Sequence, residues 1–284
     1  MPEPEYRYVN VESHDDGTIV RIMLNRPETR NAQHRSMLVE LNEAFSRAEA
    51  DDTVRVVILG GEGPMFSSGH DTGSKEMWEE LRGANLHPTA TINGGSREGA
   101  ESMMLQEWHY FFQNTLRWRN LRKITVAQVH GGVYAAGLML MWACDLIVAA
   151  EGTVFADVVG TRLGMCGVEY FAHPWELGAR KAKELLFTGD WVSADDARML
   201  GMVNHVVAAD ELRDFTMAMA RRIALRPSFA LKLAKDSVNQ TLEAQGQWTA
   251  LRAAFSIQHL AHAHNRIKFG IPIDPGPKRA DPAG

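Results

Sequence analysis

The residues best suited to chemistry sit in two short glycine turns. In Phe66 to Asp71 (Phe-Ser-Ser-Gly-His-Asp) small residues follow a strand-like run, so a ligand can approach main-chain N–H groups closely, and Asp71 can cap the next element. In His130 to Gly137 (His-Gly-Gly-Val-Tyr-Ala-Ala-Gly) a strand ends in glycines and small residues before a helix. That leaves N–H groups and the positive end of a helix dipole facing one place. Two such clusters can converge on one oxygen, and donors aimed at a developing oxyanion usually contribute most of the catalysis in acyl chemistry. Read alone, the same residues are two tight turns.

Other chemistry-bearing side chains are scattered. Asp157 lies two residues before Val159 in what reads as an extended segment, so the two face the same side about 6 to 7 Å apart. Glu169 follows the glycine turn at Gly167 and opens the next helical stretch. Either carboxylate can act as an acid/base group, or can serve as a turn cap and a helix-start charge respectively. His259, His262 and His264 form His-x-x-His-x-His, where the first two can share a helix face and hold a metal. No acid or cysteine joins them nearby, which favours helix-end packing. Cys144 and Cys166 lack C-x-x-C spacing and read as reduced core thiols. Arg117, Arg119, Arg122 and Lys123 crowd one helix end, either solvated or facing an anion. The glycines do not form G-x-G-x-x-G, which argues against a nicotinamide dehydrogenase.

Positioning these groups takes alternating strands and helices. Thr18 to Leu24 and Val54 to Leu59 are aliphatic runs of strand length, and between them Met37, Leu41, Ala44, Phe45 and Ala48 recur at helical spacing. The pattern predicts a helix over 101–122, a strand over 124–129, a helix over 135–143 and short strands over 146–150 and 153–156. A helix over 174–187 carries Pro174 in its first turn, and one over 193–200 is capped by Ser193. After a strand over 202–207, helices run from Asp210 to Asn265, broken at Pro227 and Gly246. Asn93 to Gly99 reads as a loop, and the segment beyond Phe269 as an extended tail.

Composition sets the class. With 284 residues, 45% hydrophobic, 23% charged and two cysteines, the chain reads as one large or two modest folded domains, not a disordered, collagenous or disulfide-stapled protein. Thirty basic against 35 acidic residues give a net charge of −5, which argues against a nucleic-acid footprint. The start of the chain is acidic and interrupted by proline, unlike a secretory signal. The longest apolar run, Val133 to Cys144, contains Gly137 and stops at Asp145, short of the roughly 20 residues of a membrane span. A cytoplasmic protein without a membrane span is expected.

Four segments, taken together, resemble the crotonase superfamily, also called the enoyl-CoA hydratase/isomerase family. They are Leu24 to Ala32, Phe66 to Asp71, Val129 to Leu146, and Phe187 to Asp190 with Ser193, Ala194 and Gly201 to Val203, in family order and spacing across residues 18–208. The resemblance implies an α/β fold, a crotonase-like spiral of repeated ββα units over 1–208. A helical C-terminal trimerisation region over 209–270 and an extended tail over 271–284 would complete it. It also implies an acyl-CoA thioester as ligand, with coenzyme A arriving as part of the substrate and no tightly bound cofactor or metal, and a homo-oligomer, trimer or hexamer. By position, the two oxyanion N–H donors fall at His70 and Ala136. Arg30 falls where the family has a basic residue near the CoA phosphates, Ala32 and Ser68 line the nucleotide and pantetheine path, and Gly69 and Gly137 join them in the CoA site.

The hydratases of this family use two glutamates, and the match puts Met139 and Val159 at those positions. A thioether and an isopropyl group exchange no protons, so ordinary hydratase efficiency is not expected unless Asp157 or Glu169 substitutes. Two alternatives arise. Ser68-Gly69-His70-Asp71 looks like the corresponding stretch of methylmalonyl-CoA decarboxylases, and a (methyl)malonyl-type decarboxylation needs an enolate but no base, although those enzymes keep a glutamate where this chain has Met139. Alternatively, Met139, Val159, Leu163 and Met165 would make an apolar pocket for a non-catalytic acyl-CoA carrier or sensor.

Overall fold

Aliphatic runs of strand length build the central sheet. In the computed structural model, which describes residues 5–81 and 99–276, β1 (Val9–His14) pairs antiparallel with β2 (Ile19–Leu24), and α1 (Arg35–Ala50) crosses to β3 (Val56–Gly61). Next come α2 (Lys75–Leu81), α3 (Gly99–Gln106), a π-helical segment (Glu107–Gln113), α4 (Asn114–Arg119) and β4 (Ile124–Val129). The chain continues through β5 (Gly132–Tyr134), α5 (Ala136–Trp142), β6 (Leu146–Ala150), β7 (Val154–Ala156), α6 (Val159–Leu163) and α7 (His173–Thr188). After β8 (Val192–Ser193), α8 (Ala194–Met199) and β9 (His205–Val207), the chain ends in α9 (Leu212–Ala224), α10 (Ser228–Ala244) and α11 (Gln247–Phe269).

The large sheet has the order β1-β2-β3-β4-β6-β9 and is parallel from β2 onward, while β5-β7-β8 form a second, small sheet. Side chains alternate across a strand, so each central strand serves two cores. Val57 and Leu59 join Met37, Leu41 and Phe45 of α1, whereas Val56 and Ile58 join Leu212, Met217 and Met219 of α9. Burial on both faces explains why β3 reads as an unbroken aliphatic run from Val56 to Leu59. Because β3 and β4 are adjacent and parallel, the turns leaving their C-terminal ends, at 66–71 and 130–137, emerge side by side.

Several expectations hold. Ser193 caps α8 by accepting the Asp196 N–H, Pro174 lies in the first turn of α7, and Pro227 and the left-handed Gly246 (φ 92°) precede α10 and α11. Six elements are not read from the sequence: β1, α2, β5, α6, β8 and the π segment. β1 is an edge strand with mostly exposed or half-exposed residues, so its pattern is polar. The helix expected over 101–122 is a continuous helical run over 99–119, in which the π segment separates α3 from α4. The strand expected over 202–207 is confined to His205–Val207. Val159 is not in an extended segment but opens α6, and Asp157 Oδ1 accepts its N–H at 2.9 Å, so the expected same-face spacing does not hold. Apart from Gly99, the loop expected over 93–99 lies outside the described residues, as does the tail beyond Gly276. The tail's first residues pack: Asp274 N donates to Leu163 O at 2.9 Å, and His262 Nδ1 meets Pro272 O at 2.7 Å. Among the described residues no helix is long and apolar enough to cross a membrane.

Candidate active site

Asn31 holds the first turn in place. It is wholly buried and left-handed (φ 53°), a conformation Asn tolerates. Its Nδ2 donates to the carbonyls of Glu62, Met65 and Phe66 at 2.8, 3.0 and 3.1 Å, and its Oδ1 accepts the Arg26 N–H at 2.9 Å. Ser67 links this turn to the second one: its N–H donates to Gly132 O, and its carbonyl accepts the Tyr134 N–H at 3.0 Å. Gly69 (φ 94°) then makes the close approach. A Cβ built on it would stand 2.9 Å from Tyr134 O and 3.0 Å from Ala136 N, and one built on Gly137 would stand 2.7 Å from Ser67 O. Each glycine exists because the other turn fills the space of its missing side chain.

Ala135 aims the second turn. Its φ of 48° and ψ of −121° are strained for an alanine, at a cost of about 1 to 3 kcal/mol, and such strain collects at functional sites. Its own N–H is satisfied by Ala156 O at 2.8 Å, after which Ala136 begins α5. Neither the His70 nor the Ala136 N–H donates to any acceptor among the described residues. The sequence-predicted pair of donors is therefore brought to two abutting turns with both N–H groups uncommitted.

Arg26, buried to 2% exposure, anchors the site from behind. Its Nη1 reaches Ala32 O at 2.6 Å and Asp71 Oδ2 at 2.9 Å, and its Nη2 lies 3.5 Å from Glu76. Burial would raise the Asp71 carboxyl, but hydrogen bonds from Ser74, Arg26 and Gly73 outweigh it and hold the pKa at about 2. Nearby His34 is driven down to about 3, first by burial and then by Arg26. Stability therefore has two acid limbs. An unfolded histidine takes a proton below about 6.5 and an unfolded aspartate below about 3.9, while the folded groups do not. Tm is expected to fall as pH drops from 6.5 toward 3 because of His34, and again from about 4 toward 2 because of Asp71. In thermal melts across pH, Asp71→Asn is expected to lower stability at neutral pH by about 3 kcal/mol and to remove the lower limb only. An unchanged lower limb would contradict this assignment.

Among the other predicted residues, Ser68 N donates to Arg30 O at 3.0 Å; Arg30 is exposed, left-handed (φ 57°) and makes no ion pair among the described residues; Ala32 is buried beside them. Met139 and Val159, which the resemblance sets against the family's two glutamates, are buried at 2% and 8% exposure, and neither side chain carries a titratable group. Asp157 is fully buried; its Oδ2 accepts the Val168 N–H at 3.0 Å and meets His173 Nε2 at 2.8 Å. Glu169 is buried too, and its Oε2 lies 3.0 Å from Nε2 of His70. The His70 ring stacks on Phe111 of the π segment, with centroids 3.6 Å apart. Hence the structure joins Glu169 to His70 but keeps Asp157 in a separate buried pair.

His259 and His262 face Glu107 of the π segment at 3.2 and 3.4 Å, while His264 is exposed. Burial would raise Glu107, but the two histidines hold it low, and Glu107 in turn raises His262 against its burial. Among the described residues no group of three or more metal-binding side chains occurs. Arg26, Asn31 and Phe111 were not read as site residues from the sequence. Arg26 and Asn31 lie within the segment Leu24 to Ala32, where their types alone assign no partner, and Phe111 reads simply as helix core.

Parallel strands with crossover helices and a helical C-terminal region define a crotonase-type fold. The chain belongs to the enoyl-CoA hydratase/isomerase family, whose sequence profile matches residues 14–273. It is an acyl-CoA-binding enzyme of that family. It is 61% identical over 261 residues to a putative enoyl-CoA hydratase, EchA13, of Mycobacterium tuberculosis, covering 92% of this chain and 82% of that protein. It is 29% identical over 230 residues to the 1,2-epoxyphenylacetyl-CoA isomerase of Escherichia coli, covering 80% of each. The crystal structure of a probable enoyl-CoA hydratase from Mycobacterium smegmatis superposes with a TM-score of 0.83 at 40% identity, covering 94% of this chain and 99% of that one.

Proposed function

We propose that this enzyme moves protons on an acyl- or enoyl-CoA thioester through an enolate whose oxygen is held by the N–H groups of His70 and Ala136. The observation that carries this is the contact of the two turns: the space a Gly69 Cβ would take is 3.0 Å from Ala136 N, and neither N–H is used elsewhere among the described residues. Arg30 then meets the CoA phosphates at the exposed edge, with Ala32, Ser68, Gly69 and Gly137 along the path inward. Hydration needs two proton carriers on one face, and with Met139 and Val159 in place it is expected to be slow. Double-bond isomerisation and α-proton exchange need only one.

The enzyme so proposed is also a homo-oligomer, trimer or hexamer. Exposed Phe229, Leu233 and Val238 on α10 and Ile257, Leu260 and Ile267 on α11 support that assembly.

The test is difference infrared spectroscopy of a carbonyl-labelled acyl-CoA. Two N–H donors polarise the thioester, so its C=O band is expected to move to lower frequency on binding. A bound thioester with an unshifted band would end the proposal. A turnover panel completes it: conversion of a 3-enoyl-CoA to the 2-enoyl isomer supports the proposal. Carbon dioxide release from malonyl-type thioesters alone, or binding without any change, would replace it by a decarboxylase or a carrier.

A further inference from the structure

We infer that the imidazole of His70, paired with Glu169, is the proton carrier of this site, with Nδ1 as the basic atom. The inference rests on the enolate proposed for this site and adds the group that the empty glutamate positions leave unassigned.

An ionised carboxylate only accepts hydrogen bonds, so Glu169 Oε2, 3.0 Å from Nε2, holds the proton on Nε2. That tautomer puts the free lone pair on Nδ1, which is buried and has no hydrogen-bond partner among the described residues. A buried polar atom left unpaired in a native site calls for an explanation, and a base awaiting its substrate supplies one. The ring cannot drift, because it is stacked on Phe111 at an interplanar angle of 22°. Phe111 belongs to the π segment, and π segments recur at functional sites.

Covalent geometry sets the reach. The thioester oxygen would lie about 2.9 Å from His70 N, which places the α-carbon within about 5 Å of that nitrogen. Nδ1 is within about 5 Å of the same nitrogen, since four bonds separate them. The α-carbon and Nδ1 therefore share the surroundings of one backbone nitrogen, which puts the side chain of His70 inside the proposed site.

The step balances without a co-reactant. Nδ1 takes a proton from the α-carbon, the C–H electron pair becomes the enolate double bond, and the carbonyl pair moves onto the oxygen between the two N–H groups. The imidazolium is stabilised by the Glu169 carboxylate, as in carboxylate–histidine pairs generally. When the imidazolium first trades that proton for one from solvent, delivery to the α-carbon gives exchange. For a 3-enoyl thioester the dienolate accepts it at the γ-carbon instead, which gives the conjugated 2-enoyl product. The substrate class is thus a 3-enoyl- or saturated acyl-CoA with an acidic α-hydrogen.

The experiment measures α-deuterium incorporation into butyryl-CoA and isomerisation of a 3-enoyl-CoA, alongside the infrared carbonyl shift. His70→Gln keeps the backbone N–H and loses the base; both rates are expected to fall about 10²-fold with the carbonyl shift retained. Glu169→Gln can still accept from Nε2 but removes the charge; kcat is expected to fall about 10-fold with KM held and the pH–rate profile displaced. Wild-type rates in His70→Gln with the shift intact overturn this inference alone, whereas an unshifted carbonyl in the wild type overturns the enolate proposal beneath it. Nitrogen-15 NMR of histidine-labelled wild type keeps the test open should a variant misfold. Protonated Nε2 and bare Nδ1 on His70 are expected, and the opposite tautomer refutes the assignment.

Discussion

Gly69→Ala is expected to lower turnover of a CoA thioester by about 10² to 10³-fold, the range seen when one oxyanion donor is removed, while the secondary structure stays intact. The cause is crowding against main chain. At φ 94° the new Cβ would stand 2.9 Å from Tyr134 O, 2.9 Å from Ala135 Cβ and 3.0 Å from Ala136 N. None of these is the far end of a flexible side chain, so the two turns must move apart. Their separation is the spacing of the His70 and Ala136 donors, and misplacement by about 1 Å can cost about 10²-fold. The left-handed backbone adds about 1 to 2 kcal/mol of strain, a Tm loss of several degrees. Gly73 offers the control: it lies in the same loop, yet a Cβ there meets nothing within 4 Å, and Gly73→Ala is expected to keep both turnover and Tm. Steady-state kinetics with the carbonyl infrared band decide the matter. Full activity with an unaltered band in Gly69→Ala would show that the turns do not set the donors.

Much of the scaffold was legible because it obeys local rules. The largely aliphatic runs at 18–24, 54–59 and 124–129 became parallel strands, because strands buried on both faces carry apolar residues at successive positions. Pro227, Gly246 and Ser193 marked helix boundaries through their own backbone and side-chain chemistry. The two turns were legible for a similar reason: glycine at φ 94° and at a 2.7 Å approach is a requirement of the backbone, and it leaves its mark in the residue type. What could not be read was pairing across long separations. Asp157 and Glu169 looked equivalent, two carboxylates near a glycine turn. The difference is which histidine each meets: His173, 16 residues on, or His70, 99 residues back. Likewise, a 6 to 7 Å separation from Val159 assumed an extended chain. The Asp157 side chain bonds the Val159 N–H instead, the local competition that makes Asp a turn former.

That local bond makes Asp157 the place where stability and activity can be told apart. Its carboxylate receives three donors: Val159 N at 2.9 Å, Val168 N at 3.0 Å and His173 Nε2 at 2.8 Å, with both side chains of the pair fully buried. It thereby buckles the start of α6 to the segment leading into α7, and Glu169 comes directly after Val168. Asp157→Ala strands all three donors in the interior. Breaking a buried pair by removing one partner costs about 3 to 5 kcal/mol, or roughly 10 °C at 2 to 4 °C per kcal/mol in a chain of this size. Thermal melts are expected to show that drop. Activity is expected to fall with it, because the carboxylate that holds His70 loses its anchor; bound substrate should recover part of the Tm, since binding only the native state stabilises it. A variant that melts like the wild type yet loses turnover would make Asp157 a participant in the chemistry. A variant normal in both would mean that the segment from 157 to 173 is held by its apolar packing alone.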